Sequence, residues 1–169
     1  MYLHKISLRT WYLAAGIACA SLMGFALYLQ YHDFLDPCPL CIVQRLGFMW
    51  IGAFALLAAI VNPSRKWQKI YSWIITLGAV LGGAVAGRHV WMQHLPADQV
   101  PDCGPGLNYM LDNFPLSEVF STVFLGSGSC ADVKWQFFGL SMPEWSLLWF
   151  LGLGGFTLWF TFRKAATGQ

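Results

Sequence analysis

Four apolar runs organise the chain. They cover roughly residues 11–31, 42–61, 70–90 and 144–162, and each approaches the length of about 20 residues that crosses a bilayer as a helix. Between them lie a short polar segment at about 32–41, a second short one after 61, and a long one at about 91–143. The pattern predicts an all-α protein: one integral membrane domain over 1–169, a four-helix bundle with a long loop before the last span. The first run follows Lys5 and Arg9, as the core of a secretory signal would. Its apolar stretch is longer than such a core, however, and Tyr28 and Tyr31 close it like an interfacial belt. It reads as a retained first helix. Inside the long loop, Leu116, Val119, Phe120, Val123 and Phe124 fall at the i, i+3, i+4, i+7, i+8 spacing of an apolar helix face. With Pro115 at the start and Gly126 at the end, they predict a short helix lying in the membrane interface.

Composition agrees with lipid as the solvent. The chain is 57% hydrophobic and 11% charged, against about a quarter charged in soluble domains. No glycine-rich phosphate loop or basic groove is present, so nucleotide and nucleic acid are not expected partners. Gly78, Gly82, Gly83 and Gly87 give the third run G-x-x-x-G spacings suited to close helix packing. The nine tryptophans read as interfacial anchors and packing.

Charge sets the orientation. Lys5 and Arg9, then Arg65, Lys66 and Lys69, then Arg163 and Lys164 fall at three places that share one side of a four-span protein. Asp33, Asp36, Asp98, Asp102, Asp112, Glu118, Asp132 and Glu144 all fall on the other. The positive-inside rule puts the basic side, and both termini, in the cytoplasm.

That orientation bears on the cysteines. Cys38 and Cys41, in "DPCPLCIVQR", stand where the first outer loop meets the second span, and Cys103 and Cys130 stand in the long outer loop. All four face the side where disulfides persist. Cys19, alone in the first run, reads as a small hydrophobe. The C-x-x-C pair fits two chemistries. It is half of a tetrahedral zinc site, with Cys103 and Cys130 completing it, or it is a redox pair. The 26 residues between Cys103 and Cys130 argue against the close pairs of a zinc knuckle, and no histidine follows Cys41 as c-type haem attachment requires. Arg45 favours the redox reading. It follows Cys41 by four residues and so shares its helical face, where a cation and the helix N-terminus both favour thiolate. An arginine that only snorkels to the headgroups is the plainer alternative.

These residues resemble the DsbB family of disulfide-bond formation proteins of the bacterial inner membrane. The likeness rests on four spans, "CPLCIVQR" opening the second, "RHVWMQ" closing the third, a long loop with two cysteines, and "GSGSCADVKWQFFGLSMPEWSL" leading into the fourth. It implies a membrane thiol:quinone oxidoreductase that reoxidises a periplasmic DsbA-like dithiol oxidase and passes the electrons to ubiquinone or menaquinone. By the same resemblance, Cys103 and Cys130 form the outer disulfide and Cys103 takes the mixed disulfide. Cys130 then exchanges with Cys38, Cys41 faces the quinone, Arg45 stabilises negative charge there, and His89 lies near the quinone headgroup. No metal ligand is implied. Two other readings stand beside it. One is a vitamin K epoxide reductase-like protein, in which the C-x-x-C would close a late helix. The other is a non-catalytic membrane scaffold with structural zinc or disulfides.

Overall fold

The computed structural model describes residues 7–35, 37–96, 113–115, 117, 130–133 and 135–166. Cys103 and the expected interfacial helix at Leu116, Val119, Phe120, Val123 and Phe124 lie outside the described residues. Four helices carry the fold: α1 (Leu8–His32), α2 (Pro39–Val61), α3 (Arg65–Gln93) and, after a small hairpin, α4 (Met142–Ala166). Each is long and apolar enough to cross a membrane. Each apolar run lies inside its helix, and the helices extend beyond the runs. Hydropathy marks only what sits in lipid, whereas backbone hydrogen bonding continues until a residue stops it. Ser7 opens α1 by accepting the Thr10 N–H at 3.1 Å. Pro39 occupies the first turn of α2, where its missing N–H is no loss. Asn62, at φ +46° in the left-handed region, closes α2.

The helices pack in sequence, α1 on α2, α2 on α3 and α3 on α4, while α1 and α4 touch only lightly. Small residues bring α3 close to its neighbours. A Cβ added at Gly82 would lie 2.5 Å from the Phe150 ring of α4, and one at Gly78 would lie 2.5 Å from Trp50 of α2. Gly87 has nothing within 4 Å of such a Cβ, so the close approach belongs to Gly78 and Gly82. Phe150 in turn stacks on Phe48 of α2, centroids 4.2 Å apart. Around this core, Ile17, Leu77, Val80, Leu81 and Leu151 point outward and exposed. That surface is apolar enough to face hydrocarbon, where the helical backbone satisfies its own polar groups.

The light α1–α4 seam is closed at one end. Trp11 stacks on Phe160 and donates from Nε1 to Thr157 Oγ1 at 3.1 Å. Beside it, the Tyr12 hydroxyl lies 2.7 Å from Ser72 Oγ, which Thr161 Oγ1 also reaches at 2.7 Å, tying α1, α3 and α4 together. At the cysteine end the seam is capped by a hairpin that the sequence reading did not anticipate, β1 (Gln136–Phe137) antiparallel to β2 (Leu140–Ser141). Its two-residue turn, Phe138–Gly139, has φ of +52° and +77°, the pair of positive values a type I′ turn requires. Phenylalanine is a costly residue there, and with Phe138 in place of asparagine the sequence carries no Asn-Gly turn signal. The hairpin is fastened to the bundle by Trp145 Nε1 donating to the Phe137 carbonyl at 3.0 Å and by Ser141 Oγ donating to Gln93 Oε1 at 2.7 Å.

Gly82→Ala forces a methyl group into the Phe150 ring, and overpacking of this kind costs about 1–3 kcal/mol. The expected result is a lower unfolding midpoint in mixed micelles, with Gly87→Ala close to wild type.

Candidate redox site

The C-x-x-C motif is the N-terminus of α2. Cys38 is its N-cap, extended at φ −70° and ψ 162°, and its Sγ accepts the Cys41 N–H at 3.3 Å. Cys41 sits in the first turn, and the two unbonded thiols stand 2.8 Å apart at sulfur. Helix geometry has thus brought together two side chains three residues apart, with Pro39 holding the turn between them.

Each cysteine has its own surroundings. Cys38 packs with Leu40, Met92 and Cys130 in a small buried cluster, so the second cysteine of the long loop lies beside the first of the motif. His89 of α3 joins them. It is buried, with Nε2 3.0 Å from the Cys130 carbonyl and 3.7 Å from Cys38 Sγ, and Nδ1 3.0 Å from Gln44 Nε2. The carbonyl only accepts, which places the ring hydrogen on Nε2 and leaves Nδ1 to accept from the Gln44 amide. Gln44 was not singled out from the sequence. A buried polar residue one turn into an apolar helix was the available signal.

Cys41 packs against the same cluster and also faces a second space. With Arg45 it lines a cavity of about 220 Å³ between α1, α2 and α4, walled mainly by Met23, Phe48, Trp135, Trp145 and Trp149. Arg45 is held in that wall from α1, donating to Gln30 Oε1 and, at 3.2 Å, to the Ala26 carbonyl. A second cavity of about 60 Å³ adjoins it, with Cys38, His89, Gln93 and Asp132 in its lining and Cys41 and Arg45 shared between the two. His89 does not line the larger cavity; it stands on the Cys38 side. Cys19 is buried in the core of α1, against Gly52.

A dithiol at the N-terminal end of a membrane helix, with a third cysteine packed in the same cluster and an apolar cavity beside Cys41, defines a membrane protein of thiol–disulfide chemistry. The chain belongs to the DsbB family: the family described as "Disulfide bond formation protein DsbB" matches residues 8–160. It is 47% identical over 160 residues to a disulfide bond formation protein B of Chromobacterium violaceum, covering 95% of this chain and 96% of that protein. Over 155 residues it is 47% identical to one of Nitrosococcus oceani, 92% of each chain. Over 130 residues it is 53% identical to one of Psychrobacter arcticus, 76% of this chain and 74% of that one.

The juxtaposition of Cys38 and Cys130 has a direct check. In a chain carrying Cys41→Ala and Cys103→Ala, mild oxidation is expected to give a Cys38–Cys130 disulfide within one chain, seen by peptide mapping. Failure of that bond to form would place Cys130 elsewhere.

Proposed function

We propose that the protein is a membrane thiol:quinone oxidoreductase, which reoxidises a periplasmic DsbA-like dithiol oxidase and delivers the electrons to a membrane quinone. One observation carries this reading. Cys41 and Arg45 share the wall of an apolar, aromatic-lined cavity, while Cys38, one turn away, packs beside Cys130. Pockets that enclose a whole drug-sized ligand run to about 300–1,000 Å³. A cavity of about 220 Å³ suits a ring headgroup whose tail stays in lipid, and the half-exposed Phe25 and Trp149 in its lining place it at the lipid-facing surface. When bound there, a quinone supplies the acceptor for two electrons and two protons.

The chain's own residues divide the remaining work. The partner's thiolate attacks the Cys103–Cys130 disulfide and bonds to Cys103, releasing Cys130 as thiolate. The partner's second thiolate then displaces Cys103, so the partner leaves oxidised and the outer pair is a dithiol. Cys130 next attacks Cys38 of the Cys38–Cys41 disulfide, and Cys41 leaves as the thiolate facing the cavity. Cys103 displaces Cys38 from Cys130, which restores the outer disulfide and completes a transfer of two electrons inward. His89, bonded to the Cys130 carbonyl and 3.7 Å from Cys38 Sγ, holds the attacking segment over its target. Arg45 supplies fixed positive charge beside Cys41. A DsbA-like oxidase is a strong oxidant, near −120 mV, which no ordinary thiol buffer restores. A quinone acceptor is the chemical reason to join the outer thiols to a membrane cavity. No observation favours the vitamin K epoxide reductase-like or scaffold readings once the chain is placed in the DsbB family.

The test is anaerobic mixing of reduced DsbA-type oxidase with the protein and added quinone. One quinone reduced per dithiol oxidised is expected, and none reduced would overturn the proposal. Two substitutions separate the halves of the relay. Cys130→Ala removes the disulfide that the partner attacks, so the reduced partner should stay reduced, and a variant that turns over normally would sink the relay. Arg45→Gln should slow quinone reduction by a chemically reduced Cys38–Cys41 pair by about 10²-fold, the scale of deleting one preorganised charge-stabilising donor. Lysine should rescue part of this, restoring charge without the planar fork. Unchanged kinetics would leave Arg45 as a fastener of α1 to α2 alone.

A further inference from the structure

We propose that the reduced Cys38–Cys41 pair and His89 form a binding site for a thiophilic d¹⁰ cation, with Zn²⁺ as its type, and that occupancy takes the reduced protein out of the redox cycle. This rests on the proposed function only in requiring that the two cysteines become a dithiol during turnover.

The donor set is in place. The two sulfurs and a ring nitrogen of His89 lie within 4.8 Å of one another, with Cys38 Sγ 3.7 Å from His89 Nε2. Zinc bonds sulfur at about 2.3 Å and imidazole nitrogen at about 2.0–2.1 Å, so a tetrahedron has S···N edges of about 3.5 Å and S···S edges of about 3.8 Å. The Cys38–His89 edge is thus nearly correct as it stands. The sulfur pair, 2.8 Å apart, needs to open by about 1 Å to reach the tetrahedral edge, a side-chain rotation of Cys41. Two thiolates and an imidazole are a recognised three-ligand zinc set with an open fourth position. That position opens on the smaller cavity of about 60 Å³, room enough for a water.

What distinguishes this from any vicinal dithiol is Gln44. A metal-bound histidine nearly always donates its other ring N–H to a fixed acceptor. With the metal on Nε2, the ring hydrogen moves to Nδ1, and a half-turn of the buried Gln44 amide presents Oε1 in place of Nε2 at the same 3.0 Å position. The outer support is therefore already built. Binding breaks two S–H bonds and forms two S–metal bonds; two protons go to solvent and nothing is oxidised. It also takes Nε2 away from the Cys130 carbonyl, so the cation and the docked Cys130 segment compete for one nitrogen. The Cys38–Cys41 disulfide offers no thiolate, which confines the site to the reduced state.

The experiment uses the full chain in detergent with Cys103→Ser, so that the outer pair cannot chelate, reduced and titrated anaerobically with Co²⁺. Expected are one Co²⁺ per chain with thiolate charge-transfer and tetrahedral absorption bands, displacement by Zn²⁺, and no binding after oxidation. Cys38→Ser and Cys41→Ser should abolish the bands, and Gln44→Ala should weaken binding by about 10–100-fold, as loss of an outer-shell partner does. Undiminished affinity in His89→Ala, or binding to the oxidised chain, would overturn the proposal. Quinone reduction measured on the same samples without metal keeps the two readings apart. Loss of Co²⁺ binding with quinone reduction intact overturns the cation site alone, and the reverse overturns the proposed function alone.

Discussion

A guanidinium inside an apolar helix has to be solvated by protein, and much of the cysteine end follows from how Arg45 meets that demand. An arginine at the centre of a membrane helix costs about 2.5–3.5 kcal/mol on insertion scales, and Arg45, in the first two turns of α2, meets less than that. Hydrogen bonds to a charged donor each return about 1.5–3 kcal/mol, so two good partners offset the cost. Both come from α1, the Gln30 side chain and the Ala26 carbonyl. The arginine therefore draws α1 against α2 at this end. Among the described residues no hydrogen bond joins α1 to α4 here, whereas Trp11, Thr157 and Phe160 join them at the other end. The seam is sealed at one end and separated at the other. The aromatic-lined cavity is the space that remains, and the cation that shaped it stands in its wall.

How much of this the sequence disclosed depends on whether a feature is local. The four helices were legible because lipid imposes a simple compositional rule over twenty residues at a time. Cys38, Cys41 and Arg45 were legible because their relation, i to i+3 and i+7, is fixed by one helix. The hairpin at Gln136–Ser141 was not, since its turn puts Phe138 where turn chemistry favours asparagine, and its anchors, Gln93 and Trp145, come from two other elements. Gln44 was missed for a related reason. It lies in the same helix as the cysteines, but its significance arises only when α3 delivers His89 opposite it. The cavity itself is a property of the spacing between α1 and α4, which no single segment encodes. The resemblance to the DsbB family supplied residue roles that local reading left open, and for His89 the structure adds a placement: beside Cys38 and Cys130, outside the lining of the larger cavity.

That placement makes sense of a polar cluster in an apolar bundle. His89 has both nitrogens engaged, one by Gln44 and one by the Cys130 carbonyl. A buried network of this sort stabilises most when every member is well satisfied, and the better acceptor for Nε2 is the Cys130 carbonyl of the docked loop segment, at 3.0 Å against 3.7 Å to Cys38 Sγ. Packing of the Cys130 segment is thereby tied to the tautomer of a histidine on α3. Removing the loop would cost Nε2 its carbonyl acceptor and leave only the longer, weaker Cys38 sulfur contact at 3.7 Å, so the histidine favours the docked Cys130 segment.

The last element is the helix end itself. Two cysteines three residues apart on a long helix would share one face and one environment. Here Cys38 is the N-cap and lies outside the helix proper, with extended backbone and a sulfur that accepts the Cys41 N–H. Cys41 is fully helical and projects with Arg45 toward the cavity. Pro39 maintains the distinction, because its fixed φ suits the first helical position and its missing N–H makes no demand on the cap. The boundary between extended chain and helix falls between the two sulfurs. Cys38 is packed with Cys130, and Cys41, 2.8 Å away at sulfur, also reaches an apolar space with a fixed positive charge in its wall, so the helix boundary gives neighbouring sulfurs different second neighbours.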